Sequence, residues 1–310
     1  MYFLVYFLYQ DRSPIVSPEV VQGAMQSMKY GFIIPGGDVF SIPDMAVEAE
    51  EAGWDGVFIP DCISIETETY PAQPVYDPWI VLAVMAVRTK RVRLGTMLTP
   101  PSRRRPWKLA REVVTLDHLS NGRMILPVGM GAAKDDAGFY KVGEAMDAKT
   151  RGQLLDETLE IITGLWSGKA LHYQGQHYQV QGMTLLPPPV QQPRIPIWVV
   201  GVWPRMKSMQ RVLRYDGLLP ARLNDSGGWA DITPDDIREM KAFIDEHRTA
   251  DTPFDIIWEG ETPGDDPEKA ASMLQPWREA GVTWWMEARW GDVPQEAVRE
   301  RIRQGPPRLS

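Results

Sequence analysis

The chain has 310 residues, 44% of them apolar, enough for a large core, which excludes wholesale disorder. Its 33 Lys and Arg stand against 41 Asp and Glu, a net charge of −8, so neither nucleic acid nor an anionic membrane is expected as partner. A single cysteine, Cys62, excludes a disulfide framework and a cysteine-based zinc site, and suits a reducing, cytoplasmic compartment.

The run from Tyr2 to Tyr9 is apolar but lacks a basic flank and a cleavage site, and Gln10, Asp11 and Arg12 end it. It is too short to span a bilayer and is not expected to act as a signal peptide. Residues 1–27 are therefore expected to be a peripheral extension, with 28–310 forming a single domain.

From there, short apolar runs alternate with helical patterns. A strand at 30–35 precedes a helix at 41–53, where Ser41 suits the N-cap and Asp44 the third helical position. A strand at 56–60 precedes a helix at 77–91. Next come a strand at 92–99 and a helix at 105–119, closed by Ser120-Asn121-Gly122. The fourth strand, 123–129, leads to a long helix at 148–166. The second half repeats the rhythm, with strands at 195–201, 217–221, 254–259 and 283–289 and helices at 204–215, 233–248, 267–280 and 294–303. Asp235 and Asp236 place negative charge in the first turn of the sixth helix, where the helix dipole favours it.

Runs such as Ile195-Pro196-Ile197-Trp198-Val199-Val200 lack period-two alternation, as parallel strands covered on both faces do. Eight strand–helix units in this length predict an α/β fold, a closed (β/α)₈ TIM barrel, with an open doubly wound sheet as the alternative. Long insertions follow the second strand (61–76), the fourth (132–147) and the sixth (221–232), on the barrel face where active sites are built. A further insertion, 170–194, reads as a small hairpin before the fifth strand, pairing 171–174 with 177–180 about Gly175-Gln176 and continuing into Pro187-Pro188-Pro189.

Inspection removes several chemistries. The histidines His118, His172, His177 and His247 are scattered, so no metal site is expected. The sequence holds no Gly-x-Ser-x-Gly elbow, no Walker loop and no Gly-x-Gly-x-x-Gly after the first strand. His118 is expected to cap or pack at the end of the third helix. What remains clusters at strand C-termini. Gly129-Met130-Gly131 ends the fourth strand and Gly201-Val202 the fifth; small residues there let backbone N–H groups approach a phosphate, though tight turns need them too.

The third strand ends in Met97-Leu98-Thr99, and Thr99 has a hydroxyl to offer a ring or phosphate; Arg103-Arg104-Arg105 follow, either anion ligands or a solvated loop. Asp61 and Cys62 end the second strand and should face the barrel opening. Glu259, Glu287 and Arg289 stand near the ends of the last two strands, where a carboxylate could act as base or simply pair with an arginine. Arg222 and Trp258 are candidates for substrate contact, Trp258 as part of an apolar wall.

Three segments together carry a family resemblance: Leu94-Gly95-Thr96-Met97-Leu98-Thr99-Pro100, then Thr115-Leu116-Asp117-His118-Leu119-Ser120-Asn121-Gly122-Arg123, then Ile195-Pro196-Ile197-Trp198-Val199-Val200-Gly201. With Arg105-Pro106-Trp107-Lys108-Leu109-Ala110-Arg111, they resemble the bacterial luciferase-like monooxygenase superfamily, in register from about Lys29 to Ala288.

The resemblance implies a barrel holding reduced FMN or the deazaflavin coenzyme F420 at its opening. It also implies a small organic substrate, oxygen as co-substrate in some branches, and often a homodimer. The compact chain resembles deazaflavin-using members, a slight tilt toward F420. In that branch a cis peptide backs the ring, which maps onto Met97–Leu98. Asp61, Thr99, Met130, Gly131, Gly201 and Val202 match cofactor-contacting positions. Cys62 stands where the sugar-phosphate dehydrogenase branch has histidine and Ala132 where it has glutamate, so sugar-phosphate oxidation is not expected.

The leading expectation is a flavin-type oxidoreductase with Cys62 and Glu287 as catalytic candidates. Asp61, Met97, Leu98, Thr99, Gly129, Met130, Gly131, Gly201 and Val202 would hold the cofactor, and Arg222, Trp258 and Glu259 the substrate. A non-catalytic flavin carrier or sensor, and a cofactor-free lyase using Glu259 or Glu287 as base, are the alternatives.

Overall fold

The computed structural model describes residues 27–66, 71–131 and 138–309. Barrel strands β1 (Lys29–Ile33), β2 (Gly56–Ile59), β3 (Arg93–Thr96) and β4 (Leu126–Val128) are followed by a two-stranded antiparallel sheet, β5 (Leu171–Gln174) and β6 (Gln179–Met183). Then come β7 (Ile197–Trp203), β8 (Gly217–Leu223), a short β9 (Trp229–Ala230), β10 (Asp255–Gly260) and β11 (Trp284–Ala288). The large sheet runs β3-β2-β1-β11-β10-β8-β7-β4, every one of these pairings parallel. Parallel bridges Leu94–Met124 and Thr99–Val128 bring β4 back to β3. The eight strands form the expected barrel, and the doubly wound alternative is excluded.

Helices α1 (Ser41–Ala52), α2 (Pro78–Arg88), α3 (Pro106–Ser120), α4 (Ala148–Trp166), α5 (Met206–Val212), α6 (Pro234–His247), α7 (Pro267–Ala280) and α8 (Gln295–Arg303) alternate with the strands. Local chemistry sets their ends. Asp77, Asp147 and Asp266 accept backbone N–H bonds as N-caps, and Thr233 with Asp236 forms a reciprocal capping box on α6. Ser41 does not cap α1; it is the first helical residue, and Asp38 accepts its N–H instead. No helix among the described residues is long and apolar enough to cross a membrane.

Alternation along the strands divides the side chains into two sets. Ile33, Phe58, Ile125, Trp198, Ile257, Trp284, Met286 and Ala288 fill the barrel interior, with Met97 and Leu219 above them. Phe58 stacks on Trp198 at 5.6 Å between centroids, and Trp198 meets Trp284 edge-on at 5.3 Å. The other set, including Leu94, Val128, Val199, Leu218 and Trp285, packs outward against the helices.

The segment Thr115–Arg123, one of those that carry the resemblance, is a staple on the outer layer. Asp117, fully buried, accepts the backbone N–H groups of Val190 and Gln191 and the Gln191 side-chain amide, pinning the proline-rich segment. Asn121 closes α3 in the left-handed conformation. Arg123 donates to the carbonyls of Ala86, Thr89, Val92 and Ser120 and to the Thr89 hydroxyl, which satisfies the end of α2. His118, exposed near the end of α3, neither caps the helix nor packs in the core; its ring reaches the Pro188 carbonyl at 2.8 Å.

The hairpin differs from expectation in its second strand, which begins at Gln179. The Glu157 carboxylate accepts the N–H groups of Gln176, His177 and Tyr178, and the Tyr178 carbonyl accepts the Gly175 N–H at 2.9 Å, so residues 175–178 form the turn. Arg123→Met should remove five bonds and leave the α2 carbonyls buried without partners, costing about 2–4 kcal/mol. A urea melt that shifts by less than about 0.5 kcal/mol would show that water replaces the guanidinium.

Candidate functional site

The C-terminal ends of the barrel strands carry an apolar shelf beside a buried polar network. Met97, Val200, Val202, Leu219 and Ala221 all sit on the inward-facing register of β3, β7 and β8, and each is only half-buried. Leu98 joins them from the turn after β3, and the Met97–Leu98 peptide is cis, where the resemblance placed it.

Beside this shelf, Asp61 is 6% exposed. One carboxylate oxygen accepts the Thr99 hydroxyl at 2.7 Å and Arg104 Nε at 3.1 Å; the other accepts Arg104 Nη2 at 2.6 Å. The Thr99 and Thr96 hydroxyls lie 2.8 Å apart, and the Arg104 guanidinium lies over Trp79. This bidentate pair locks the β3 turn. Of the three arginines, Arg104 is the one that pairs with Asp61, and nothing in the run of three identical residues marks it out in advance. Cys62, half-buried, follows Asp61 directly.

Several expected site residues face elsewhere. Glu287 lies on the outward register of β11 and is fully buried between the strand and α8. Its oxygens accept Thr262 N–H at 2.9 Å, Thr262 Oγ1 at 2.7 Å, Arg301 Nε at 3.2 Å and Trp285 Nε1 at 3.2 Å. That geometry makes it a structural anchor, and the expected catalytic role, as flavoenzyme residue or lyase base, has no free carboxylate oxygen to work with. Gly201 likewise points outward. A Cβ there would meet Leu218 at 2.4 Å, Val212 at 2.9 Å and Met209 at 3.0 Å, so it permits close packing of β7 on α5 and β8 rather than a phosphate cradle.

The Val202 N–H, expected to hold phosphate, already donates to Ser208 Oγ at 3.0 Å, although its side chain faces the shelf. Gly129 faces inward, but Val200 and Leu98 fill the space beside it, with a Cβ meeting them at 2.8 and 3.2 Å. The space beside Gly129, where a close approach to phosphate was expected, is therefore lined by aliphatic side chains. Met130 turns outward beside Gly152 of α4, and the Met130 and Gly131 carbonyls accept Arg151 at 3.2 and 2.7 Å. Gly131 has φ 70°, which favours glycine. Ala132 lies outside the described residues.

On the opposite arc, Trp258 faces outward and stacks on Trp277 of α7 at 4.5 Å. With Arg222 and the shelf residue Ala221 it lines a pocket of about 460 Å³ at the rim. Arg222 is ion-paired to Asp236 at the start of α6. Glu259 does face inward, and accepts the indole N–H of Trp290 from the loop after β11, a partner not anticipated. Desolvation raises the Glu259 pKa, with the Trp290 bond opposing. No metal-binding group of His, Cys, Asp and Glu occurs among the described residues.

Residues 15–292 match the model of the luciferase-like monooxygenase family. The chain belongs to this family. It is 35% identical over 157 residues to an F420-dependent glucose-6-phosphate dehydrogenase of Microbacterium testaceum, covering 50% of this chain and 45% of that protein. It is 37% identical over 125 residues to the oxygenase component of a flavin-dependent trigonelline monooxygenase of Acinetobacter baylyi, covering 40% and 34%. These matches span half or less of the relatives' length. An F420-dependent secondary alcohol dehydrogenase, solved with an F420–acetone adduct, superposes with a TM-score of 0.72 at 16% identity, covering 91% of this chain and 98% of that one.

At the other end of the barrel, Asp255 accepts the Thr283 hydroxyl at 2.9 Å, and its pKa is raised chiefly by burial, with Lys29, Thr283, Trp198 and Trp284 opposing. An acid whose pKa is higher folded than unfolded binds its proton more tightly when folded. Its carboxylate therefore costs stability above that window, and the cost fades as pH falls toward 3.8. Asp255→Asn should accordingly raise Tm relative to wild type more at about pH 8 than at about pH 4. A pH-independent difference between the two melting curves would remove Asp255 as the titrating group. Separately, Glu287→Gln should cost about 3–5 kcal/mol by leaving Arg301 buried without its counter-charge. A loss of turnover in that variant without loss of stability would restore the catalytic role.

Proposed function

We propose that the protein is an oxidoreductase that binds reduced FMN or coenzyme F420 across the apolar shelf and acts on a small organic substrate. The carrying observation is the shelf itself. Five half-buried apolar side chains face inward, at the end of the barrel where cofactors bind, with a polar lock at one edge. Met97, Leu98, Val200, Val202 and Leu219 would seat a planar ring and keep water off one face. Asp61, Thr99 and Arg104 would fix the turn against the ring's polar edge. When bound, such a cofactor supplies hydride transfer or, with oxygen, monooxygenation.

Between the two cofactors we favour F420, because the relative matched over the longer stretch and the superposed dehydrogenase both carry it in their names. We further propose a cytoplasmic homodimer, a reading supported by Ile80, Val84 and Val87, which line one face of α2 and are all exposed.

The decisive experiment is titration of the purified protein with FMN and F420, each oxidised and reduced. One of them should bind saturably, and Val202→Asp should weaken that binding at least about tenfold by placing a charge against the ring while the near-UV spectrum stays native. Binding of neither, in any state, points to a cofactor-free lyase with Glu259 as base. Tight binding without substrate-dependent reoxidation across a compound panel points to a carrier.

A further inference from the structure

The rim pocket beside β8 and β10 has a composition that selects its ligand. Its walls are Trp229, on the short strand that folds back antiparallel on β8, and Trp258, whose far face is covered by Trp277. Trp229 is 73% exposed, a large indole that the chain itself leaves uncovered. Arg222 is the cation of the lining, and its charge is taken up by Asp236, buried at the start of α6. The remaining charge in the lining is Asp231, exposed and without an ion-pair partner among the described residues.

The pocket thus presents two indoles, an arginine already ion-paired behind it and one carboxylate without an ion-pair partner among the described residues, around about 460 Å³. The next stretch of rim repeats the pairing, with Glu259 beside Trp290, whose indole is 47% exposed. Arg289, the nearby cation at the end of β11, alternates to the outer register and lies toward Arg301.

We propose that this pocket binds the cationic group of a small organic molecule, a quaternary ammonium or a protonated or alkylated ring nitrogen, and so sets the substrate class of the oxidoreductase. Indole faces attract such cations through the ring quadrupole, and Asp231 supplies the counter-charge; an anion would meet Asp231 with Arg222 already committed. The pocket has room for a cation carrying an aromatic ring. The inference rests on the oxidoreductase reading only in calling this molecule a substrate; the cation site itself does not depend on it.

The test is calorimetric titration of the purified protein with benzyltrimethylammonium, with the pair choline and 3,3-dimethylbutan-1-ol as isosteres differing in charge, and with phenylacetate. The ammonium compounds should bind saturably, and the neutral isostere and the carboxylate at least about tenfold more weakly. Trp229→Ala and Asp231→Asn, both at exposed positions, should each reduce ammonium affinity about tenfold or more while circular dichroism and cofactor affinity stay unchanged. Equal binding of choline and its isostere, preferred binding of phenylacetate, or unaltered affinity in both variants would overturn the proposal. FMN and F420 titrations of the same preparations separate the outcomes: intact cofactor binding with no charge preference sinks only the cation site, whereas lost cofactor binding with ammonium binding retained sinks only the oxidoreductase reading.

Discussion

Closing eight parallel strands into a ring forces every second side chain inward, and the molecule's chemistry depends on how that interior is filled. Here Phe58, Trp198 and Trp284 occupy it with their rings in mutual contact. Bulky side chains packed to this density leave no channel through the barrel. Whatever stands above them on the inward register becomes the floor of the end where the insertions after β2, β4 and β8 leave the barrel. In this chain those residues are Met97, Val200, Val202, Leu219 and Ala221, and the floor is apolar for that reason.

The same alternation decides which polar residues can take part in chemistry. Glu259 and Glu287 both lie near the ends of adjacent strands, yet they face opposite ways. Glu259 shares the inward register of Ile257, whereas Glu287 shares the outward register of Trp285. One meets Trp290 at the rim; the other is sealed against Arg301. Gly201 and Val202 divide in the same manner, the first serving helix packing and the second the shelf. A single-residue step is enough to exchange a site role for a structural one.

The sequence made the barrel legible because its signals are local: eight apolar runs, capping residues, and turns such as Ser120-Asn121-Gly122. The insertions after β2, β4 and β8 were legible for the same reason. Register was not, since strands covered on both faces are apolar at every position and show no period to read. Glu287, Gly201 and Trp258 were therefore expected in the opening when they in fact face the helices. Partner choice was equally hidden. Arg103, Arg104 and Arg105 are identical as letters, and only the path of the turn after β3 selects Arg104 to meet Asp61 at 2.6 Å.

That difference between local and non-local information also separates scaffold from site. Asp117 and Arg123 form a hydrogen-bonded staple on the outer layer, 73 and 74 residues from Asp117 to its backbone partners and 31 to 37 from Arg123 to the α2 end and the start of β3. They hold the scaffold and touch no part of the shelf. The pieces facing the shelf and rim pocket, by contrast, are single side chains on separate strands and on the hairpin after β8: Val202, Leu219, Glu259, Trp229, Asp231. Trp229, Asp231 and Glu259 can be exchanged without disturbing the staple, because exposed rim positions carry little of the folding energy. The staple thus secures the barrel without reaching the rim, and substrate class has to be argued from the rim itself.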